Sequence, residues 1–331
     1  PEVERIQVHK YYGQFGFGKF KKSKAVFSSG KRNKNIQFVP IYHPHLTSPI
    51  KGEENRVIMD RIIDDVDFVI FDVETTGLSP KDGDRIVEIG ALRYKNGQAL
   101  DSFSSLLNPQ RPVSPGAFAV NRISQEMLKD APTAAEVLPK FLEFAGNGCL
   151  AGYNVGFDMG FLEAELGLFG QALPEDTAVV DIIQMARRTF PGLSSYGLGN
   201  FSRWLGCPEP QDHRALSDVR MTVQVFSRLL SELKKKGIGD FSAFYNLFGV
   251  NPKLSEDITN QHIAAIQKAI DLGVRLKIKY YSSSAAKVSE REVSPKEIRR
   301  EGKSQYLVGY CHLRKDERTF KINAILKLEI L

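Results

Sequence analysis

The stretch Phe68 to Gly77 reads Phe-Val-Ile-Phe-Asp-Val-Glu-Thr-Thr-Gly, and it sets the problem the rest of the chain must solve. Its first four residues are a continuous apolar run, the pattern of a strand buried on both faces. Two acids then enter the run, Asp72 and Glu74, with Val73 between them. On a strand, residues i and i+2 point to the same side. Two carboxylates are therefore set side by side at the end of a buried strand. Like charges that close repel and raise one another's pKa unless something positive separates them. A divalent metal ion is the common solution, because hard cations prefer carboxylate oxygens. A bare Asp-x-Glu also describes a strand that ends in a solvated acidic turn, so the decision rests on partners elsewhere in the chain.

Three further segments supply candidates. Asn154-Val155-Gly156-Phe157-Asp158 follows the apolar stretch Cys149 to Tyr153 and opens a helical pattern through Phe161, Leu162 and Leu166. Asp158 is then an acid in a helix's first turn. Ser195 to Leu205 reads as a short helix with Leu198, Phe201 and Leu205 inward. His213-Arg214-Ala215-Leu216-Ser217-Asp218 leads into a long amphipathic helix with Val219, Val223, Phe226, Leu229, Leu230 and Leu233 on one face. A His five residues before an Asp at a helix entrance can bring an imidazole and a carboxylate to one site.

With these motifs in order, Asp67 to Lys236 resembles the DnaQ-like 3′–5′ exonucleases of the DEDDh type. The resemblance rests on Asp72-x-Glu74-Thr75-Thr76-Gly77, Asn154-x-x-Phe157-Asp158 and His213-x-x-x-x-Asp218. It implies an α/β, ribonuclease-H-like fold with a mixed sheet flanked by helices, and release of nucleoside monophosphates from a 3′ end. It implies Asp72, Glu74, Asp158 and Asp218 as ligands of two Mg²⁺ or Mn²⁺ ions, with Asp72 bridging both. His213 would deprotonate the attacking water. Its ordinary pKa near ~6.5 suits a neutral base at mildly alkaline pH. By the same resemblance the backbone at Thr75 and Thr76 and the side chain of Leu78 would hold the terminal nucleotide, and Asn154 would support the site by hydrogen bonding. Phe157 would pack on a base or sugar, or else belong to the core.

The 331 residues allow two or three domains. Three widely spaced cysteines, Cys149, Cys207 and Cys311, do not make a disulfide framework and point to a reducing cytoplasm. No apolar run approaches the ~18 residues of a membrane span, and no secretory pattern opens the sequence. Charge is partitioned. Residues 1–50 carry nine Lys/Arg against two Glu, and residues 232–331 carry 19 basic against 12 acidic. Residues 51–231 carry 17 against 25. An acidic catalytic part between basic flanks suits a nuclease, which needs carboxylates for metal but must hold a polyanion. The Lys234-Lys235-Lys236 run is instead the ordinary basic end of a helix.

Residues 1–66 form a basic segment. Its run Tyr11 to Lys22 interleaves aromatics, glycines and lysines, and suits either base stacking or an edge hairpin. His43 and His45, flanking Pro44, read as loop residues, and Ile58 to Val66 as a short connecting helix. In 67–236, strands over Asp84–Tyr94 and Leu100–Leu107 flank the turn signal Asn96-Gly97. Helices fit Ser124–Lys129 and Thr133–Phe144, the second with a capping box from Thr133 and Glu136. Residues 237–258 read as a linker. In 259–331 a helix over Asn260–Leu272 precedes strands at Leu276–Tyr281, Arg291–Ser294, Gln305–His312 and Arg318–Ile322. This part resembles a WYL domain, a small Sm-like β-barrel. The likeness rests on Lys277-Ile278-Lys279-Tyr280, Arg291 to Pro295, Tyr306 to Cys311 and Arg318-Thr319-Phe320. It departs from that family at Gln305, where the Trp would stand, and at Asn323-Ala324. WYL domains are associated with nucleic-acid or nucleotide ligands and with regulating attached domains. Candidate phosphate contacts are Arg291, Arg314 and Arg318, with Tyr280, Tyr306 and Tyr310 as stacking partners. The alternative is a β-domain that dimerises or stabilises.

Three functions compete. The first is a 3′–5′ exonuclease on single-stranded DNA in repair, degradation or defence. The second is an exoribonuclease, since nothing in the motifs reads a 2′-hydroxyl. The third is a nucleic-acid-binding regulator without turnover, against which the complete set of ligands and base argues.

Overall fold

The computed structural model describes residues 58–207, 212–302 and 304–331. The aromatic and basic run of residues 11–22, His43 and His45 lie outside them. Five strands make the first sheet: β1 (Phe68–Thr75), β2 (Ile86–Lys95), β3 (Gln98–Leu106), β4 (Cys149–Gly152) and β5 (Val179–Asp181). Their order is β3-β2-β1-β4-β5, antiparallel between β1, β2 and β3 and parallel between β1, β4 and β5. The antiparallel part is a hairpin closed at Asn96 and Gly97, whose φ values of 48° and 79° are those of the tight turn this dipeptide favours.

β1 is central because all four residues of its apolar run are buried on both faces. Phe68 and Ile70 join one core and Val69, Phe71 and Val73 the other. The second core is covered by α3 (Ala134–Ala145) and α4 (Gly156–Leu168), and α3 begins with the expected capping box of Thr133 and Glu136. Ahead of them lie α1 (Pro115–Asn121) and α2 (Gln125–Leu128). The first core is covered by α5 (Ile182–Thr189), α6 (Leu198–Trp204) and α7 (Ala215–Lys235). Phe226 of α7 meets Phe68 edge to face at 4.9 Å. Ile58 to Val66 contributes a 3-10 turn, Ile63–Asp65.

The expected linker is instead folded. Residues 237–258 hold α8 (Phe241–Phe248) and the first turns of α9 (Pro252–Leu272). Phe241, Phe244, Tyr245 and Phe248 recur at helical spacing, and all four are fully buried. Phe241 and Phe244 pack edge to face on Phe68 at 6.0 and 5.9 Å. The glycines at 237 and 239 end one helix and start the next rather than opening a flexible tether.

Beyond α9 lie β6 (Leu276–Ser282), β7 (Lys287–Glu301), β8 (Ser304–Cys311), β9 (Asp316–Lys321) and β10 (Ile325–Ile330), an antiparallel sheet ordered β10-β6-β7-β8-β9. Its edge strands, β9 and β10, are consecutive and joined by a 3-10 turn at Ile322–Ala324. One face packs on α9 through Leu276, Ile278, Ile266 and Ala269. The other sends Tyr281 and Leu326 into the core beneath Phe68. The Tyr281 hydroxyl donates to the Arg188 carbonyl at the end of α5, and Asn246 Nδ2 donates to the Ile325 carbonyl at 3.0 Å. Both sheets thus share one apolar core. Among the described residues no helix is long and apolar enough to cross a membrane.

This shared core makes a prediction. Tyr281→Ala removes a fully buried ring from the C-terminal sheet and should cost about 3–5 kcal/mol. The chain's only tryptophan, Trp204, stands on α6 in the N-terminal part, and its fluorescence in urea should show the lower midpoint. An unchanged midpoint would mean that the two sheets unfold independently.

Candidate active site

The residues of β1 that continue the Phe68/Ile70 face are Asp72 and Glu74. Below them this face carries rings against α7, and at its end it carries charge. On β2, Gly90 pairs with Asp72 and Glu88 with Glu74, so these four residues share one face. α7 lands there. A Cβ on Gly90 would lie 2.5 Å from the Leu216 backbone nitrogen and 2.7 Å from the Ala215 carbonyl carbon. The helix's first turn rests directly on glycine backbone, and this contact carries Asp218 to the strand end. One oxygen from each of Asp72, Glu74 and Asp218 lies within 4.8 Å of the others.

Asp158 arrives from the other side of the strand. It sits in the first turn of α4, buried, and its Oδ1 accepts the Val73 backbone N–H at 3.0 Å. Helix α4 is pinned by Glu165, a buried residue that the sequence reading missed. Its carboxylate takes Arg85 Nε and Nη2, both at 2.7 Å, and the Ile86 N–H at 3.0 Å.

Burial and mutual repulsion shape the titration of this cluster. Desolvation first, then the Asp158, Glu74, Asp218 and Glu88 carboxylates, push Asp72 well above the ordinary carboxylate range. Glu74 rises from 4.5 to about 8, again chiefly by burial, then by Asp218 and Glu88, with an Asn121 hydrogen bond opposing. Asp158 rises to about 7 by burial, opposed by the Val73 N–H. Converging carboxylate oxygens that cannot share charge without help are the donor set that hard divalent cations take.

Glu88 is a second residue that the sequence reading missed. It is buried beside the cluster, yet both oxygens are engaged. Arg214 Nε and Nη2 donate to it at 2.9 and 2.6 Å, and the Ala215 N–H at 3.0 Å. It is an anchor for the N-terminus of α7 rather than a spare ligand. His213, the residue before Arg214, is exposed with φ 51°. It stands outside the set of three converging carboxylates.

The other expected site residues are distributed as follows. Thr75, the last residue of β1, and Thr76, the first of the turn after it, are both buried. Thr76 N–H donates to the Arg85 carbonyl at 2.9 Å, its carbonyl accepts the Ser114 N–H at 3.1 Å, and its hydroxyl donates to Asp84 at 2.9 Å. A Cβ on Gly77 would overlap the Asp84 carboxylate, which the Thr76 hydroxyl and the Ser79 N–H hold in place. Leu78 follows at 85% exposure. Asn154 is exposed, holds φ 66°, and donates its N–H to Asp181 at 3.2 Å. Phe157 is half-buried against Phe161 at 4.9 Å. Asn121 of α1, also missed, donates to the Thr75 carbonyl at 3.3 Å.

The six candidates on the C-terminal sheet are placed as follows. Tyr280 packs on Phe320 at 5.2 Å, and its hydroxyl accepts the Lys321 N–H at 3.4 Å. Tyr306 and Tyr310 lie on one face of β8, with Tyr310 exposed beside His312. Arg314 and Arg318 are exposed, Arg318 3.8 Å from Asp316. Arg291 alone of the six lines a hollow of about 380 Å³, with Lys277, Glu290, Glu292 and His312.

The Exonuclease family model matches residues 69–226 and the WYL domain model residues 261–330. Residues 69–226 are an exonuclease domain by that match. A WYL domain follows it. The DNA polymerase III PolC-type of Caldanaerobacter subterraneus is 37% identical over 176 residues, 53% of this chain and 12% of that protein. Its counterpart in Clostridium perfringens is 36% identical over 172 residues, 52% of this chain and 12% of that protein. The chain thus spans 12% of the length of these two relatives. Among solved structures, exonuclease X in complex with 5′ overhanging duplex DNA is 28% identical with a TM-score of 0.41, covering 50% of this chain and 91% of that one. The nuclease domain of 3′hExo bound to rAMP is 18% identical with a TM-score of 0.46, covering 50% and 92%.

Two outcomes follow from the site. Gly90→Ala places a methyl where the first turn of α7 must sit, and should weaken Mg²⁺ binding at least about tenfold by displacing Asp218, read by calorimetry on folded protein. Wild-type affinity in that variant would show that the close approach is dispensable. The second concerns pH. Carboxylates raised in the fold bind more protons in the native than in the unfolded state between about 4.5 and 8, so metal-free stability should fall as pH rises through that window. Mg²⁺ should restore the melting temperature at pH 8 and do little at pH 5. A flat metal-free profile would contradict the cluster's burial.

Proposed function

We propose that this chain is a metal-dependent 3′–5′ exonuclease that acts on single-stranded DNA and releases nucleoside 5′-monophosphates. The observation that carries the proposal is the convergence of Asp72, Glu74 and Asp218 at the end of a buried strand, with Asp158 held to that strand's backbone. The polymerase names of the matched relatives support DNA as the substrate class.

Asp72, Glu74, Asp158 and Asp218 would hold two divalent ions, Mg²⁺ or Mn²⁺. Such ions lower the pKa of a bound water and offset charge on the attacking and leaving oxygens of a phosphodiester. The chain's own residues do the rest. Glu88 and Arg214 fix the first turn of α7, which holds Asp218 in place and sets where His213 emerges. His213, exposed on that entry, accepts the proton of the attacking water. The backbone at Thr75 and Thr76 and the side chain of Leu78 hold the terminal nucleotide, Phe157 packs on its base or sugar, and Asn154 supports the site by hydrogen bonding. Stacking on such surface tolerates any base, so little sequence preference is expected.

Asp72→Ala and Asp218→Ala should abolish hydrolysis while leaving the protein folded. His213→Ala should slow turnover by roughly 10²–10⁴ with metal affinity nearly unchanged. The assay compares 5′-labelled single-stranded DNA, duplex DNA and RNA with Mg²⁺, Mn²⁺ and EDTA. Near-normal activity in folded Asp72→Ala protein would remove the metal assignment. Loss of metal binding in His213→Ala would make that residue a ligand or scaffold rather than a base.

A further inference from the structure

Residues 182–207 hold Arg187, Arg188 and Arg203 and no Asp or Glu, inside the part of the chain that is otherwise acidic. They form α5, α6 and the segment between them. The structure makes a surface of them. Trp204 is 52% exposed and stacks on the buried Phe201 ring at 5.8 Å with 13° between planes, with Phe190 edge-on at 5.0 Å. The Arg187 guanidinium stands 5.9 Å from the Tyr196 ring centre, and half-buried Lys236 Nζ, which donates to the Thr189 carbonyl at 3.0 Å, stands 5.9 Å from that of Phe190. Arg188 turns inward to the Leu247 carbonyl, whereas Arg187 and Arg203 are exposed, Arg203 lying along its own helix with donations to the Gly199 carbonyl at 3.1 Å and Asn200 Oδ1 at 2.6 Å. Of the acidic neighbours, Asp181 is spent on the Asn154 and Ile183 N–H groups, and Glu232 pairs with Lys235 at 2.7 Å.

This surface is fastened to the active site. Asp181, which caps α5, holds the backbone of Asn154 in the turn that leads to Asp158. The Tyr153 hydroxyl donates to the Tyr196 carbonyl, and the Tyr196 hydroxyl to the Phe190 carbonyl at 2.6 Å. α5 is about 12 Å long at 1.5 Å per residue, so the cationic aromatic face starts within a few nucleotides' reach of the carboxylates.

We infer that the face formed by Arg187, Tyr196, Arg203, Trp204 and Lys236 is a track for the single strand behind its 3′ end, with a base stacking on Trp204 and phosphates on the cations. The inference rests on the nuclease reading above and adds the route of the substrate. An exposed ring held flat on a buried one is a ready stacking platform. Cations near ring faces, with Asp181 and Glu232 already engaged among the described residues, suit a phosphate backbone. The track also answers the electrostatic difficulty of an acidic domain that must grip a polyanion.

Trp204 is the chain's only tryptophan, so its fluorescence reports the contact directly. The full-length chain in Mg²⁺ is titrated with a phosphorothioate dT16 and with dT2. Saturable quenching by dT16 and none by dT2 is expected. On unmodified dT16, the double variant Arg187→Ala/Arg203→Ala should raise KM about tenfold with kcat within about twofold. It should also flatten the slope of log KM against log salt by about 0.7 per arginine. These two side chains are on the surface, so the variant should keep its fold, whereas Trp204→Ala would remove a ring packed on Phe201 and Phe190. Hydrolysis of dT16 by wild type with flat fluorescence and an unchanged KM in the double variant would overturn the track. Quenching by phosphorothioate dT16 with no hydrolysis of unmodified dT16 would support the track and overturn the nuclease reading instead.

Discussion

The contact on which the site depends is between a helix and a glycine. α7 can bring Asp218 to the end of β1 only because Gly90, beside Asp72 on the next strand, offers no side chain. Helix and strand backbones approach to a distance that any Cβ would prevent. The same face of the sheet is apolar where α7 runs along it and acidic where α7 begins, so one packing interface serves as core at one end and as site at the other.

Gathering carboxylates in a buried place costs solvation and repulsion, and the surrounding structure shows how that is offset. Glu88 is the nearest surplus acid, and it is neutralised by a two-point ion pair with Arg214 and a helix N–H. Glu165, farther along α4, is matched in the same way by Arg85. Such buried pairs are weak evidence of stability, because desolvation takes back much of the attraction. Their two-point geometry does fix the direction of the elements that they join. They hold α7 and α4, and through them Asp218 and Asp158. Asp72, Glu74 and Asp218 remain as the converging set at the strand end.

The WYL domain is not a separate bead on the chain. Tyr281 and Leu326 complete the core beneath Phe68, and the Tyr281 hydroxyl bonds the end of α5, the helix whose start holds the turn before Asp158. A continuous packed path therefore runs from the C-terminal sheet to the active-site loop. This is the physical setting in which an attached domain can influence a catalytic one, since packed elements transmit small shifts better than tethers do.

Much of the site was legible in the sequence because its signals are local. An apolar run with acids at i and i+2 determines a buried strand that ends in two carboxylates, and Asp158 and Asp218 each fall in a helix's first turn by spacing alone. The hairpin at Asn96-Gly97 and the capping box at Thr133 follow from the same short-range chemistry. Only the tertiary structure decided what depends on distant residues. Glu88 and Glu165 look like ordinary surface acids until Arg214 and Arg85, 126 and 80 residues away, are set against them. Phe241 to Phe248 reads as connecting chain until a second sheet closes over its rings. Gly90 looks like a weak point in a strand until a helix lies on it. Propensity and periodicity are fixed by neighbours in sequence, whereas close approach and charge pairing are fixed by neighbours in space, and the chain states the second kind only after it has folded.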